Sequence, residues 1–222
     1  MKTANIAAID RLRCGTDGVG IRTLVCFAGC PLRCKYCPNK FTYNGSCAPQ
    51  TLTEKQLYDK VKIDKLYFDA TGGGITFGGG EPLLQFEFIK RFMISSSKSS
   101  SPKTFLSDTF VIETSLSISN KRFKAFISDL KILSFHKINL VLYVDVKTLN
   151  PKEYKKYTHK SIRCLKKNLK ILSEKNIYNL TTVFRVPLID GYVSKESQIR
   201  TVAKLQKMGF YNIEKFKYAT YN

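Results

Sequence analysis

Acidic residues are scarce in this sequence: 17 Asp and Glu stand against 37 Lys and Arg, a formal net charge of +20 over 222 residues. Such an excess points toward an anionic partner, a nucleic acid or a membrane surface. Arginine is scarce as well, with 9 Arg against 28 Lys spread along the whole chain. Readers of phosphates and bases lean on arginine's bidentate fork, so a solvated lysine coat competes with a functional basic face. No apolar run approaches the ~18 residues of a membrane span, and Met1-Lys2-Thr3-Ala4-Asn5 leads into no secretory apolar segment. A cytoplasmic protein with no membrane partner is the expectation. Seven cysteines, an odd number with no secretory signal before them, do not make a disulfide framework. Internal repeats are absent, and no composition shift marks a domain boundary, so residues 1–222 read as one domain.

What is present suffices for a packed core without staples: 43% of residues are apolar and 12% aromatic. Strand and helix patterns alternate. Residues 22–28 are β-rich and stop at Gly29. A helix follows Thr53, where Thr53 and Gln56 form a capping box and Leu57 and Val61 recur at helical spacing. Ile75-Thr76-Phe77 is a short strand fenced by glycines, and 83–94 a helix. The Ser/Lys stretch 95–103 reads as a loop. Strands are expected at 110–114, 139–146, 180–188 and 211–218, with helices carrying Phe123, Phe126 and Leu130, then Leu165, Leu169 and Leu172, then Ile199, Val202 and Leu205. About six such alternations imply parallel strands with right-handed crossovers, either doubly wound or curved into a partial barrel. Ligands then bind at the carboxyl ends of the strands.

Six of the cysteines crowd the first quarter of the chain, and Cys30, Cys34 and Cys37 make a C-x3-C-x2-C spacing after the first of these strands. Three thiolates on one loop can wrap a face of a cuboidal iron–sulfur cluster and leave one iron open. They can also form a zinc knot with Cys26 or Cys47 as fourth ligand. Spacing alone leaves both open. Cys26 sits at an apolar strand position and reads as core; Cys14, Cys47 and Cys164 suggest no role, and His159 reads as a surface residue.

The triplet, with Tyr36 before its third cysteine, resembles the signature of the radical S-adenosylmethionine (SAM) superfamily. Asp17-Gly18-Val19-Gly20-Ile21-Arg22, the run from Gly72 through Gly78-Gly79-Gly80-Glu81-Pro82, Glu113-Thr114-Ser115, Asp145-Val146-Lys147 and Arg185-Val186-Pro187 follow in order. Together they resemble the glycyl-radical-enzyme activating enzymes, of the short type without a second cysteine-rich segment between Cys37 and Gly72.

That resemblance implies an α/β partial (β/α)6 barrel of the radical SAM type. It implies a 4Fe-4S cluster on Cys30, Cys34 and Cys37, whose open iron chelates SAM. One electron then cleaves SAM to methionine and a 5′-deoxyadenosyl radical, which takes a hydrogen from a glycine of a partner glycyl radical enzyme. Gly78, Gly79, Gly80 and Glu81 form the strand end that meets the methionyl amino group. Asp145, Lys147 and Arg185 are SAM-binding positions, and Glu113 serves SAM or a monovalent cation. Tyr36 packs on the adenine or the cluster, and residues 17–22 lie near the mouth that admits the glycyl loop. A flavodoxin- or ferredoxin-type electron donor is implied, with the activase a monomer that binds no nucleic acid. Gly78 replaces a usual serine, Glu113 an aspartate, and residues 214–219 lack the family's histidine, which marks a divergent or shortened member. Two other readings are a radical SAM enzyme with a different peptide or small-molecule target, and a zinc-stabilised basic nucleic-acid-binding protein.

Overall fold

The first strand is the one that apolar patterning conceals. β1 (Thr3–Cys14) fully buries only Ala4 and Ile6, and its second half is charged. It forms because it is paired on both sides, antiparallel to β2 (Ile21–Phe27) and to β3 (Gln50–Thr53). The computed structural model describes residues 2–97, 106–107, 109–175 and 180–218.

Beyond β2 the sheet is parallel. β4 (Gly74–Gly79), β5 (Thr109–Thr114), β6 (Asn139–Asp145), β7 (Leu180–Leu188) and β8 (Ile213–Lys217) follow in chain order. The sheet order is β3-β1-β2-β4-β5-β6-β7-β8, and no pairing among the described residues joins its two edges. The result is the expected α/β partial barrel, extended by an antiparallel flank that the sequence pattern did not reveal.

Strand alternation sorts the side chains. Ile75 and Phe77 of β4, Phe110 and Ile112 of β5, and Leu140, Leu142 and Val144 of β6 join the buried core. Phe77 stacks on Phe110 and meets Phe92 of α3 (Phe86–Ser96) edge-on. The intervening positions carry Thr76, Glu113 and Asp145 on the opposite, concave face. Asp64, wholly buried, ties the flank to the helix side: Arg11 of β1 donates to it at 3.0 Å and Thr23 of β2 at 2.6 Å.

The capping box at α1 (Glu54–Val61) is present as read, with Thr53 accepting from the Gln56 amide at 3.2 Å and Gln56 accepting from the Thr53 amide at 2.9 Å. The helix expected from residue 83 begins later. Residues 82–85 form a 3-10 turn capped by the Glu81 carboxylate, which accepts from the Leu83 amide at 3.3 Å, and the α turns start at Phe86. Ser95 and Ser96, read as loop, belong to α3; residues 98–103 of that loop lie outside the described residues. Two short helices were not anticipated, α2 (Lys65–Thr71) and, after α4 (Asn120–Phe135), α5 (Pro151–Thr158). The signal for α5 was Asn150-Pro151: Asn150 caps it through the Lys152 amide at 3.0 Å, and proline suits the first turn. The helices α6 (Arg163–Ser173) and α7 (Lys195–Lys207) match the periodic runs.

Candidate active site

The carboxyl ends of the parallel strands open on a cleft of about 590 Å³. Cys30, Cys34 and Cys37 all line it, on the loop that leaves β2. Main-chain bonds hold that loop: the Arg33 amide donates to the Thr158 carbonyl at 3.0 Å, and the Lys35 amide to the Tyr157 carbonyl at 3.1 Å. The three thiols are free and half-buried. Burial pushes the Cys30 thiol up to about 12 and the Cys34 thiol to about 11, so a bound metal must take up the charge before either becomes a thiolate at neutral pH.

Among the described residues no group of three Cys, His, Asp or Glu side chains could hold a single metal ion. Three soft sulfur donors spread along one wall of a cleft suit a larger iron–sulfur cluster. The candidate fourth ligands of a zinc knot are placed differently from the triplet. Cys47 lies off the cleft lining and donates to the Ala7 carbonyl at 3.2 Å, while Cys26, which also lines the cleft, is fixed on β2 as a buried residue rather than on the loop.

Gly79 and Gly80 form a bare stretch of the lining beside the start of the cysteine loop. Gly79 has φ +85°, and a Cβ there would lie 2.6 Å from the Cys26 Cα. A Cβ on Gly80 would lie 2.2 Å from the Gly29 carbonyl oxygen. Only glycine lets the two main chains approach this closely and leaves their edge exposed to a ligand. Gly78 lies off the cleft lining, packed against Glu113.

Glu81 also lies off the lining, although the motif placed it among the cofactor-binding residues. Its buried carboxylate accepts from the Thr114 hydroxyl at 2.6 Å, the Ser115 hydroxyl at 2.7 Å and the Ser115 amide at 3.0 Å. It braces the end of β4 against the end of β5. Burial raises its pKa despite these donors.

Glu113, Asp145, Lys147 and Arg185 come together as expected. Arg185 donates to Asp145 Oδ1 and to Glu113 Oε1, both at 2.8 Å, and Lys147 Nζ meets Asp145 Oδ2 at 3.1 Å. Adjacent parallel strands make this set: Glu113 pairs in register with Tyr143, and Asp145 with Arg185. Burial pushes Asp145 upward, but Lys147 and Arg185 outweigh it and hold the carboxyl below its usual range. For Glu113 burial wins over Arg185, and its pKa is raised.

Asp145→Asn would leave two buried cations with one carboxylate. Because the Asp145 side chain is 26% exposed to the cleft, a loss of about 3 kcal/mol, the low end for a broken buried pair, is expected in denaturant unfolding of the cluster-free protein. The sign with pH follows from the lowered pKa: the wild-type advantage is full above the unfolded carboxyl's 3.8 and disappears as pH falls below it. An unchanged unfolding midpoint at neutral pH would contradict this account.

Tyr36 stands at the rim, beside α5. Its ring, 37% exposed, lies off the cleft lining and packs edge-on against Tyr192 at 5.5 Å. Asp17 lines the cleft, held by Arg13, and its carbonyl accepts from Thr76 at 2.8 Å. Residues unmarked by sequence reasoning also line it, including Asp10, Arg13, Tyr157 and Tyr218. Tyr157 lies on the unanticipated α5, whose Asn-Pro start was the available signal. Of the carboxylates and cationic side chains lining the cleft, four are acidic and three basic, so the excess of lysine belongs to the outer surface.

A family model described as the Radical SAM superfamily matches residues 24–210, which include the cysteine loop, the glycine edge and the whole ion set. The chain belongs to the radical SAM superfamily. It is 53% identical over 73 residues to the pyruvate formate-lyase-activating enzyme of Clostridium pasteurianum, a match covering 33% of this chain and 30% of that protein. The enzyme of the same name from Staphylococcus aureus strain USA300 is 43% identical over 75 residues, covering 34% of this chain and 30% of the relative. The matched stretch therefore spans less than a third of these relatives. Among solved structures, Streptococcus suis SuiB bound to S-adenosylmethionine shares the fold with a TM-score of 0.58 at 16% identity, covering 88% of this chain and 42% of that one. No helix among the described residues is long and apolar enough to cross a membrane.

Proposed function

We propose that this chain is an activating enzyme for a glycyl radical enzyme of the pyruvate formate-lyase kind, acting as a cytoplasmic monomer. The observation that carries the reading is the gathering of three cysteines, the Gly79–Gly80 edge and the Asp145–Lys147–Arg185 set around one cleft. The names of the sequence relatives add the target class. Cys30, Cys34 and Cys37 would hold a 4Fe-4S cluster, with SAM beside it in the same cleft. When bound, the two supply reductive cleavage of SAM to a 5′-deoxyadenosyl radical, which takes a hydrogen atom from a glycine of the partner.

The chain's own residues bind and orient. Gly79 and Gly80 offer main-chain groups to a ligand ammonium, and Lys147 and Arg185 offer positive charge to a carboxylate. Asp145 keeps both cations in place before ligand arrives. Glu81 holds the β4 and β5 ends at fixed separation. A monovalent cation beside Glu113 would compete with Arg185 for that carboxylate. Lys35, Lys152, Lys155, Lys156 and His159 line a surface groove beside the cysteine loop, a face suited to an acidic flavodoxin- or ferredoxin-type donor. Reduction by such a donor should slow as salt rises.

Anaerobic reconstitution with iron and sulfide is expected to give a brown protein that, once reduced, converts SAM to 5′-deoxyadenosine. With a glycyl radical enzyme of the pyruvate formate-lyase kind added, it is expected to raise a glycyl radical signal in electron paramagnetic resonance (EPR). A colourless protein that makes no 5′-deoxyadenosine would sink the reading. A brown, SAM-cleaving protein that gives no glycyl radical would move the target to another peptide or small molecule.

A further inference from the structure

Two tyrosines on α5 face the interior, and only one has a partner. Tyr154 shares a 2.6 Å hydrogen bond with the Ser117 hydroxyl. Tyr157 is completely buried, yet its hydroxyl has no hydrogen-bond partner. A buried hydroxyl without a partner costs about 1–3 kcal/mol, so its retention calls for an explanation.

The surroundings supply one. Tyr157 lines the cleft, meets Tyr192 at 5.3 Å between ring centroids, and belongs to a small buried cluster with Ile189 and Val193 against which Cys34 and Tyr218 pack. Cys34, Cys37, Lys147 and Tyr218 line the same cleft. Lys147, which donates to Asp145, has no acceptor to offer the hydroxyl proton. The sulfurs are the acceptors in that set that gain negative charge when metal binds. The backbone fixes the relation: the Tyr157 carbonyl accepts from the Lys35 amide at 3.1 Å and the Thr158 carbonyl from the Arg33 amide at 3.0 Å, gripping the loop on both sides of Cys34.

We infer that the Tyr157 hydroxyl is a hydrogen-bond donor to the sulfur shell of the cluster at Cys34 and raises its reduction potential. The inference rests on the cluster reading above. Hydrogen bonds to cluster sulfurs stabilise the reduced, more negative state and raise the potential. A donor to a charged sulfur contributes on the order of one tenfold step in the equilibrium. Tyr157 is thus a positioning and tuning residue rather than a catalytic one.

The test compares wild type, Tyr157→Phe and Tyr192→Phe, each loaded anaerobically and titrated potentiometrically without SAM, with the reduced cluster followed by EPR. Tyr157→Phe keeps the ring and removes only the hydroxyl. Its reduced-to-oxidised ratio at a fixed poise is expected to fall about tenfold, a potential lower by about 59 mV for a one-electron couple. Tyr192→Phe should match wild type. Cluster-free Tyr157→Phe should unfold at or above the wild-type temperature, because the hydroxyl has no partner there to lose. An unchanged potential in Tyr157→Phe, a shift seen only when SAM is present, or a lowered unfolding temperature without cluster would each overturn the inference. Wild-type protein that takes up no cluster would instead overturn the underlying reading.

Discussion

Cys34→Ala is expected to yield a folded protein that binds no cluster. Iron and sulfide should fall to background after reconstitution, and 5′-deoxyadenosine should fall to the level of cluster-free wild type. Two remaining thiols cannot hold three corners of a cuboidal cluster, and Cys34 is the member of the triplet whose flanking residues are gripped by α5. Its thiol is only half-buried, so the unfolding free energy of the cluster-free variant should stay within about 1 kcal/mol of wild type. Cys26→Ala and Cys47→Ala serve as the contrast. Cys26 is packed in β2 and Cys47 donates to a main-chain carbonyl, so both variants should load iron normally. Iron loss in Cys47→Ala equal to that in Cys34→Ala would favour a four-cysteine site and refute the three-cysteine assignment.

Gly80→Ala is expected to damage both fold and site. The new Cβ would stand 2.2 Å from the Gly29 carbonyl oxygen and 2.7 Å from that of Phe27. Neither oxygen can move aside freely. Phe27 O accepts from the Gly80 amide at 3.0 Å and Gly29 O from the Glu81 amide at 2.8 Å. These bonds stitch the start of the cysteine loop to the end of β4. Relief of the clash therefore pulls the start of the cysteine loop away from the end of β4, at a cost of about 3 kcal/mol or more. Denaturant unfolding of the cluster-free variant reads the first effect, and iron uptake under the wild-type protocol reads the second. Near-wild-type values for both would show that the close approach is unimportant.

Much of this site could be read from residue order alone, for a physical reason. The cysteine spacing places three donors on one loop, and the strands that carry Gly79, Glu113, Asp145 and Arg185 all finish at the same edge of a parallel sheet. Once strand alternation is recognised, convergence of those positions follows. Glu81 and Tyr36 show where the inference stops. Both lie within the motifs, yet Glu81 spends its carboxylate on Thr114 and Ser115, and Tyr36 turns toward Tyr192. A motif fixes where the main chain goes. Which way a side chain turns depends on partners supplied by other strands.

The antiparallel flank was hidden for a related reason. β1 is amphipathic in only part of its length, and its charged half is stabilised by pairing with β2 and by Arg11 reaching Asp64, 53 residues away in sequence. Local periodicity carries no record of such a contact.

The sequence by itself determined the six-fold strand–helix alternation, the cysteine loop, and the set of residues that meet at the carboxyl edge, because each depends on spacing along the chain. It left the meaning of the +20 charge open. Only the tertiary structure separated a lysine-rich exterior from a cleft where four carboxylates face three cations. It alone brought Tyr157, with an unused hydroxyl, to the cleft that Cys34 lines, since that depends on how α5 docks against a loop more than a hundred residues earlier in the chain.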